Sequence, residues 1–321
     1  MKPLFTSIAL SIGFVICFTA NAQSFDNFQV KNPQVIWKAQ TNYQSALWTY
    51  KVIPQKFPLS AVNYLLKMGG FTNRVTAITG DFSVSNSSNT CRLVVSLEQG
   101  NIRYNDQFAP ANHWDRTNHL WEAVKGLPGN KQAERLGLKL LKRFGIGKRD
   151  LAESQLGHLM VFREQQTRGY FDRRRGKFVD DEVLTRGIFF NRRTDGVNFA
   201  GIGVGGGCEI EFGNNAKIAK LNLIWRNLQP YQKFKVKQPD EIKEAILNGE
   251  AALTHKNSVN GYDVTAITIT DFAPLYMGAD ELTKQDLVSP FAKFEAVADT
   301  ATTNIEIELY CPILSTNIIA P

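Results

Sequence analysis

The fold class this sequence predicts is α+β: antiparallel sheets with helices packed on one face. Three observations predict it. Alternating apolar and polar runs follow one another across short polar turns, as antiparallel strands do. Only three segments carry helical periodicity, and each is followed by a group of strands. The strict strand–helix alternation of a doubly wound parallel sheet is absent. The recurring order, helix then strands, reads as a duplication of one unit, although no residue-level repeat accompanies it.

The N-terminus predicts the compartment. Lys2 precedes the apolar run "LFTSIALSIGFVICFTA", and Ala20-Asn21-Ala22 places small residues where a signal peptidase reads. Residues 1–22 are therefore expected to be a secretory signal peptide, cut before Gln23. The run is shorter than the roughly 20 apolar residues a membrane anchor needs. Cys17 is not a lipidation site, because Ile16 stands where a small residue is required. No later segment is long and apolar enough to span a bilayer, so the expectation is a secreted or periplasmic protein without a membrane span.

The 43% hydrophobic and 21% charged residues are those of a globular chain, and the formal net charge is +7. That mild basic excess is compatible with an anionic partner, such as a cell-envelope polymer or an acidic protein surface. Two regions follow the signal peptide: an N-terminal α+β region over 23–130 and a C-terminal one over 131–321.

Residues 23–45 read as a polar lead-in. "FPLSAVNYLLKMGGF" is a helix, opened by Pro58 or capped by Ser60 and ended by Gly69-Gly70. "RVTAITGDFSVS" and "CRLVVSLEQGNIRYND" alternate as half-buried strands around the turn "SNSSNT". Asn86-Ser87-Ser88 in that turn formally matches a glycosylation acceptor. After a loop from Gln107 to Asn130, "KQAERLGLKLLKRFGI" is the clearest helix, with Ala133, Leu136, Leu140, Leu141 and Phe144 on one side.

Strands resume with "HLMVFREQQTRGYF" and "TRGIFFNRRTDGVNFAGIGV", in which Asp195-Gly196 signals a hairpin turn. Ile210 and Phe212 share one strand face, and Gly213-Asn214-Asn215 turns the chain. Leu221, Leu223 and Trp225 share a face of the return strand, with Ile218 out of phase, so a bulge is expected near Lys220. "PDEIKEAILNGEAAL" is the third helix, with Ile242, Ala245, Ile246 and Leu247 on its buried side. "YDVTAITITDF" and "TNIEIELYCPIL" close the fold as strands.

The chemistry-bearing residues are few. "HWDRTNH" brings His113, Asp115 and His119 close in sequence, as a metal-dependent hydrolase would require, but without helical metal-ligand spacing. Arg173, Arg174, Arg175, Arg192 and Arg193 form a candidate basic patch for an acidic partner. Glu209 and Glu211 share a strand face, and Asp180, Asp181 and Glu182 read as an acidic turn. "GIGVGGG" lacks the Lys-Ser or Lys-Thr and the following helix of a phosphate loop, so it reads as a bend between strands. Nucleic-acid binding is disfavoured by the export signal, and no cofactor motif is found. Cys91, Cys208 and Cys311 remain after cleavage. An oxidising compartment permits one disulfide among them, and spacing does not choose the pair.

The stretch "CEIEFGNNAKIAKLNLIWRNLQPYQKFKVKQPDEIKEAILNG" resembles a PepSY-like unit, in which a hairpin with a polar-Gly turn is crossed by a helix. "YDVTAITITDFAPLYMG", "LVSPFAKFEA" and "IEIELYCPIL" are similar to the C-terminal part of exported regulatory proteins of the YycI type. This resemblance covers the C-terminal third to half of the chain. Proteins of the YycI type are membrane-anchored, whereas a cleavable signal is expected here. The resemblance implies binding rather than catalysis: an exported module for a protein or peptide partner, such as a peptidase inhibitor or regulator.

Overall fold

The computed structural model describes residues 25–27, 33–40, 44–72, 74–110, 114–115, 120–121, 124–154, 156–172, 176–200, 206–254, 259, 263–278 and 284–319. It is an α+β protein of mostly antiparallel sheets, with three helices among the described residues. These are α1 (Leu59–Met68), α2 (Asn130–Arg143) and α3 (Pro239–Leu247). Two compact units form, named by chain order alone: the inner from Ile53–Asn227 and the outer from the flanking residues up to Val52 and from Leu228 onward. The boundary expected at 130/131 falls inside the first unit. There Asn101–Asp106 pairs with Ile218–Ile224, so a cut at 130/131 would divide one sheet.

The inner unit is built on seven antiparallel strands. Their spatial order is Phe82–Ser85, Cys91–Ser96, Asn101–Asp106, Ile218–Ile224, Gly207–Phe212, Lys177–Asn191 and Val161–Asp172. One core gathers Ala61, Val62, Leu65 and Leu66 of α1 with Ala133, Leu140 and Leu141 of α2. It also takes Leu93, Tyr104, Leu221, Ile210 and Ile188, which face each other across successive strands. Strand alternation sends these apolar side chains one way and their polar neighbours the other.

The bulge lies where expected. Glu211 opposes Lys220 and Phe212 opposes Ile218, which leaves Ala219 as the extra residue. That slip returns Ile218 to the core face with Leu221 and Leu223, and all three are buried. The 213–216 turn is pinned by the loop before α2: Asn214 N–H donates to Ala109 O at 2.7 Å and Asn215 N–H to Lys125 O at 2.7 Å. Lys125 N–H in turn donates to Asn214 Oδ1 at 2.8 Å. The Asp195-Gly196 turn holds both residues at positive φ, 50° and 80°, between Arg193–Thr194 and Val197–Phe199.

Several expectations are corrected. "RVTAITG" is not a strand; the Asn63 side chain of α1 exchanges two 2.9 Å hydrogen bonds with the Val75 backbone, taking the place of a ladder. Asp180–Glu182 lie within the Lys177–Asn191 strand at a register shift, not in a turn. Leu247 is 47% exposed, because α3 ends there; its buried side is Ile242, Ala245 and Ile246.

The outer unit carries a second sheet in the order Phe25–Asn27, Ala252–Thr254, Asn304–Pro312, Pro290–Thr300 and Val264–Tyr276, with Gln34–Trp37 parallel to the last. The lead-in therefore contributes two strands instead of remaining irregular. Trp37, Phe272 and Phe294 cluster with ring centroids 5.3–5.8 Å apart. A smaller sheet orders Leu287–Val288, Ala46–Ile53, Asn227–Val236 and Leu314–Ile319. Among the described residues no helix is long and apolar enough to cross a membrane.

Candidate functional site: the polar sheet face and edge of the inner unit

Opposite the apolar rows of the inner sheet run two others, the first mixed and the second polar. The first is Ser83, Val94, Arg103, Asn222, Glu209, Phe189 and Phe162, directly opposed strand by strand. The second is Ser85, Arg92, Asn105, Lys220, Glu211, Gly187 and Glu164. Basic residues occupy one half of this face and acidic residues the other. Lys220 Nζ reaches diagonally to Glu209 Oε1 at 2.6 Å, while Glu164 and Glu211 have no ion pair among the described residues.

Val161–Asp172 ends the sheet. Among the described residues it pairs on one side only, with Lys177–Asn191, and the segment Phe162 to Gln166 is exposed throughout. The strand is held from behind: Arg163 Nη2 stands 3.0 Å from Glu134 Oε2 of α2. Arg186 Nη1 donates to Asn130 Oδ1 at 2.7 Å. Farther along, Arg168 pairs with Glu182, whose Oε1 also accepts the Val124 N–H at 2.9 Å. Ion pairs thus tie the edge strand to α2 and to the neighbouring strand.

Beside the edge, between Glu164 and Glu211, Gly187 leaves a gap in the row of side chains. A depression of about 140 Å³ opens there, bordered by Glu164, Gln166, Thr185, Gly187, Glu211 and Lys220. Thr185 is fully buried, and its Oγ1 has no hydrogen-bond partner among the described residues. A smaller cavity of about 30 Å³, bordered by Phe190, Cys208 and Asn222, has room for about one water.

The residues singled out in the sequence are distributed differently. Arg192 is spent internally: its Nη1 donates to Arg226 O at 2.5 Å, its Nε to Thr194 Oγ1 at 3.2 Å, and its guanidinium lies 5.0 Å from the Trp225 ring centroid and 5.4 Å from that of Phe199. Arg193 pairs with Glu153. These two arginines therefore do not extend a free basic patch; Arg173, Arg174 and Arg175 lie outside the described residues. His113 and His119 also lie outside them, and Asp115 is described only as backbone in a two-residue strand paired with Leu120–Trp121. His158 is exposed in a turn, its N–H donating to Ser154 Oγ at 3.2 Å. Asn86 turns its amide onto the backbone rather than outward, accepting from Thr90 N–H at 2.8 Å and donating to Gly69 O at 3.0 Å.

Cys91, Cys208 and Cys311 are free thiols, all buried. Cys91 and Cys208 sit on strands three places apart in one sheet, about 14 Å at the usual strand spacing. A disulfide tolerates about 7 Å between Cα atoms, so the sheet itself forbids that pair. Burial pushes the Cys91 and Cys208 thiols up and away from the reactive thiolate.

Glu164, Glu211 and Thr185 escape a reading by motif, because they come from three strands and meet only through sheet register. The signal present in the sequence is the glycine in "TRGIFF", a strand glycine that marks a gap or close approach.

No protein-family model matches this chain, and no curated protein matches it. Among solved structures it is similar to the crystal structure of an uncharacterized protein from Eubacterium rectale ATCC 33656. The two are 10% identical, with 90% of each chain covered and a TM-score of 0.44.

Proposed function

We propose that this is an exported, non-catalytic binding protein that takes an extended segment of a protein partner as an added strand along Val161–Asp172. The observation that carries the reading is the one-sided pairing of that strand among the described residues, with Phe162 to Gln166 exposed. Sheet edges are ordinarily shortened, bulged away or covered, because their free N–H and C=O groups recruit further strands. Here the exposed part, Phe162 to Gln166, is tied to α2 through Arg163, which pairs with Glu134. Main-chain hydrogen bonds then supply affinity and alternate side-chain positions supply specificity.

The finer architecture belongs to the same proposal. α1 and α2 back the apolar face of the inner sheet in the manner of a PepSY-like unit, and the outer unit repeats the theme with α3. The polar face and the edge are left for the partner. Export through the segment 1–22 brings the protein to partners in the secreted or periplasmic space, a peptidase or its substrate being the class the resemblance implies.

The test is amide hydrogen exchange of the full chain, with and without an excess of a heptapeptide of alternating Val and Thr. Strand addition slows alternate amides between Val161 and Thr167 and leaves the Phe82–Ser85 edge unchanged. Unaltered exchange along Val161–Thr167 under saturating peptide would remove the reading.

A further inference from the structure

We infer that the depression at Gly187 is a subsite for an arginine side chain carried by the added strand; the inference rests on the strand-addition reading above. Its walls are acceptors. Glu164 and Glu211 flank Gly187 in register, about 10 Å apart at two strand spacings. Neither is ion-paired among the described residues, and Glu209 is committed to Lys220. The nearby arginines are turned elsewhere, Arg163 to Glu134, Arg186 to Asn130 and Arg168 to Glu182. The depression therefore carries two uncompensated negative charges.

Independent of that charge, Thr185 marks the floor as a place for a ligand. It lies on the same strand face as Gly187, is fully buried, borders the depression, and leaves Oγ1 without a partner. A buried hydroxyl is ordinarily hydrogen-bonded, so a donor delivered from outside completes it. Carboxylates offer only acceptors. The complementary group is one with several donors and no acceptor, and the planar guanidinium presents five N–H groups in a fixed fork.

Geometry agrees with an arrival from the edge. A residue opposite Glu164 on an added strand sits about 5 Å beyond it, so its side chain must cross Glu164's row to reach Gly187. The missing side chain at Gly187 opens the track for the aliphatic stem; a Cβ there would already touch Glu164 Cβ at 3.4 Å.

Fluorescence anisotropy on the full chain at physiological ionic strength tests this with two labelled peptides, Thr-Val-Thr-Arg-Thr-Val-Thr and its analogue with Gln in place of Arg. The Arg peptide is expected to bind about tenfold tighter, the ratio that one charge-assisted hydrogen bond supplies. In Glu164→Gln/Glu211→Gln the ratio falls towards one, and Thr185→Val lowers the ratio in part. Equal affinities of both peptides for the unmodified chain would overturn the subsite and leave strand addition standing. Binding of neither peptide at millimolar concentration would overturn both.

Discussion

Gly137 of α2 lies hard against Ile188 of the inner sheet: the Cβ that Gly137 lacks would stand 2.3 Å from Ile188 Cδ1 and 2.8 Å from Phe190 Cε2. Both neighbours are fully buried. Glycine here sets how closely the helix approaches the strand.

Gly137→Ala is therefore expected to destabilise the protein by about 1–3 kcal/mol through overpacking. In a solvated helix the same change stabilises by about 1 kcal/mol. Urea unfolding measures the sign. Ile188→Val removes the closest atom, so the double variant should recover part of the loss, a coupling that a double-mutant cycle isolates.

Asn86 closes the turn before Cys91 with four hydrogen bonds from one amide. It accepts from the Thr90 and Cys91 N–H groups and donates to Gly69 O and Thr90 Oγ1. Asn86→Asp keeps the acceptor but sets a carboxylate against the Gly69 carbonyl; a loss of about 1–3 kcal/mol is expected. The same wiring predicts that a chain expressed through a glycosylating host carries no glycan at Asn86 once folded, which the intact mass of the native protein checks.

Arg192 and Arg193 are adjacent and basic, yet their substitutions should differ. Arg192→Lys loses the fork to Arg226 O and Thr194 as well as the stacking on Trp225, for about 1–3 kcal/mol. Arg193→Ala removes a partly exposed pair with Glu153 and should cost about 1 kcal/mol or less. Chemical denaturation of the two variants side by side measures the difference.

Alkaline pH should unfold the protein before any thiol titrates in the native state. Burial pushes Cys311 from 9.0 up to about 12, Lys237 drawing it slightly back and Glu250 adding to the rise. Cys91, Cys208, Tyr104 and Tyr310 are displaced the same way, chiefly by burial. The unfolded thiols ionise near 9.0, so above that pH the unfolded chain binds fewer protons than the folded one. Stability is thus fully present below pH 9 and falls as pH rises towards the folded values. The urea midpoint should drop from about pH 8 to about pH 11 with the slope preserved. At about pH 8, Cys91, Cys208 and Cys311 should resist a thiol reagent until denaturant is added.

Local elements were legible wherever their pattern was self-contained. The stripe of α2, the hairpin from Gly207 to Ile224 with its bulge at Ala219, and the Asp195-Gly196 turn each rest on one short continuous stretch of chain. The strand Ala46–Ile53 went unseen, because "ALWTYKVI" is broken in its alternation by Thr49 and Tyr50, both buried. Thr49 is tolerated there because its hydroxyl donates to Gln232 O at 3.1 Å, a residue far along the chain. Gln34–Trp37 was equally hidden, since it becomes a strand only by pairing in parallel with Val264–Tyr276.

By itself, then, the sequence determined the α+β class, the three helices and the hairpins, because periodicity and turn chemistry act between residues a few places apart. Tertiary structure alone decided that Cys91 and Cys208 stand three strands apart, that Arg192 turns inward, and that Glu164, Gly187 and Glu211 fall into one row. Those facts depend on strand order and register between distant segments, which are set by the burial of a shared core and leave no mark on any single stretch of chain.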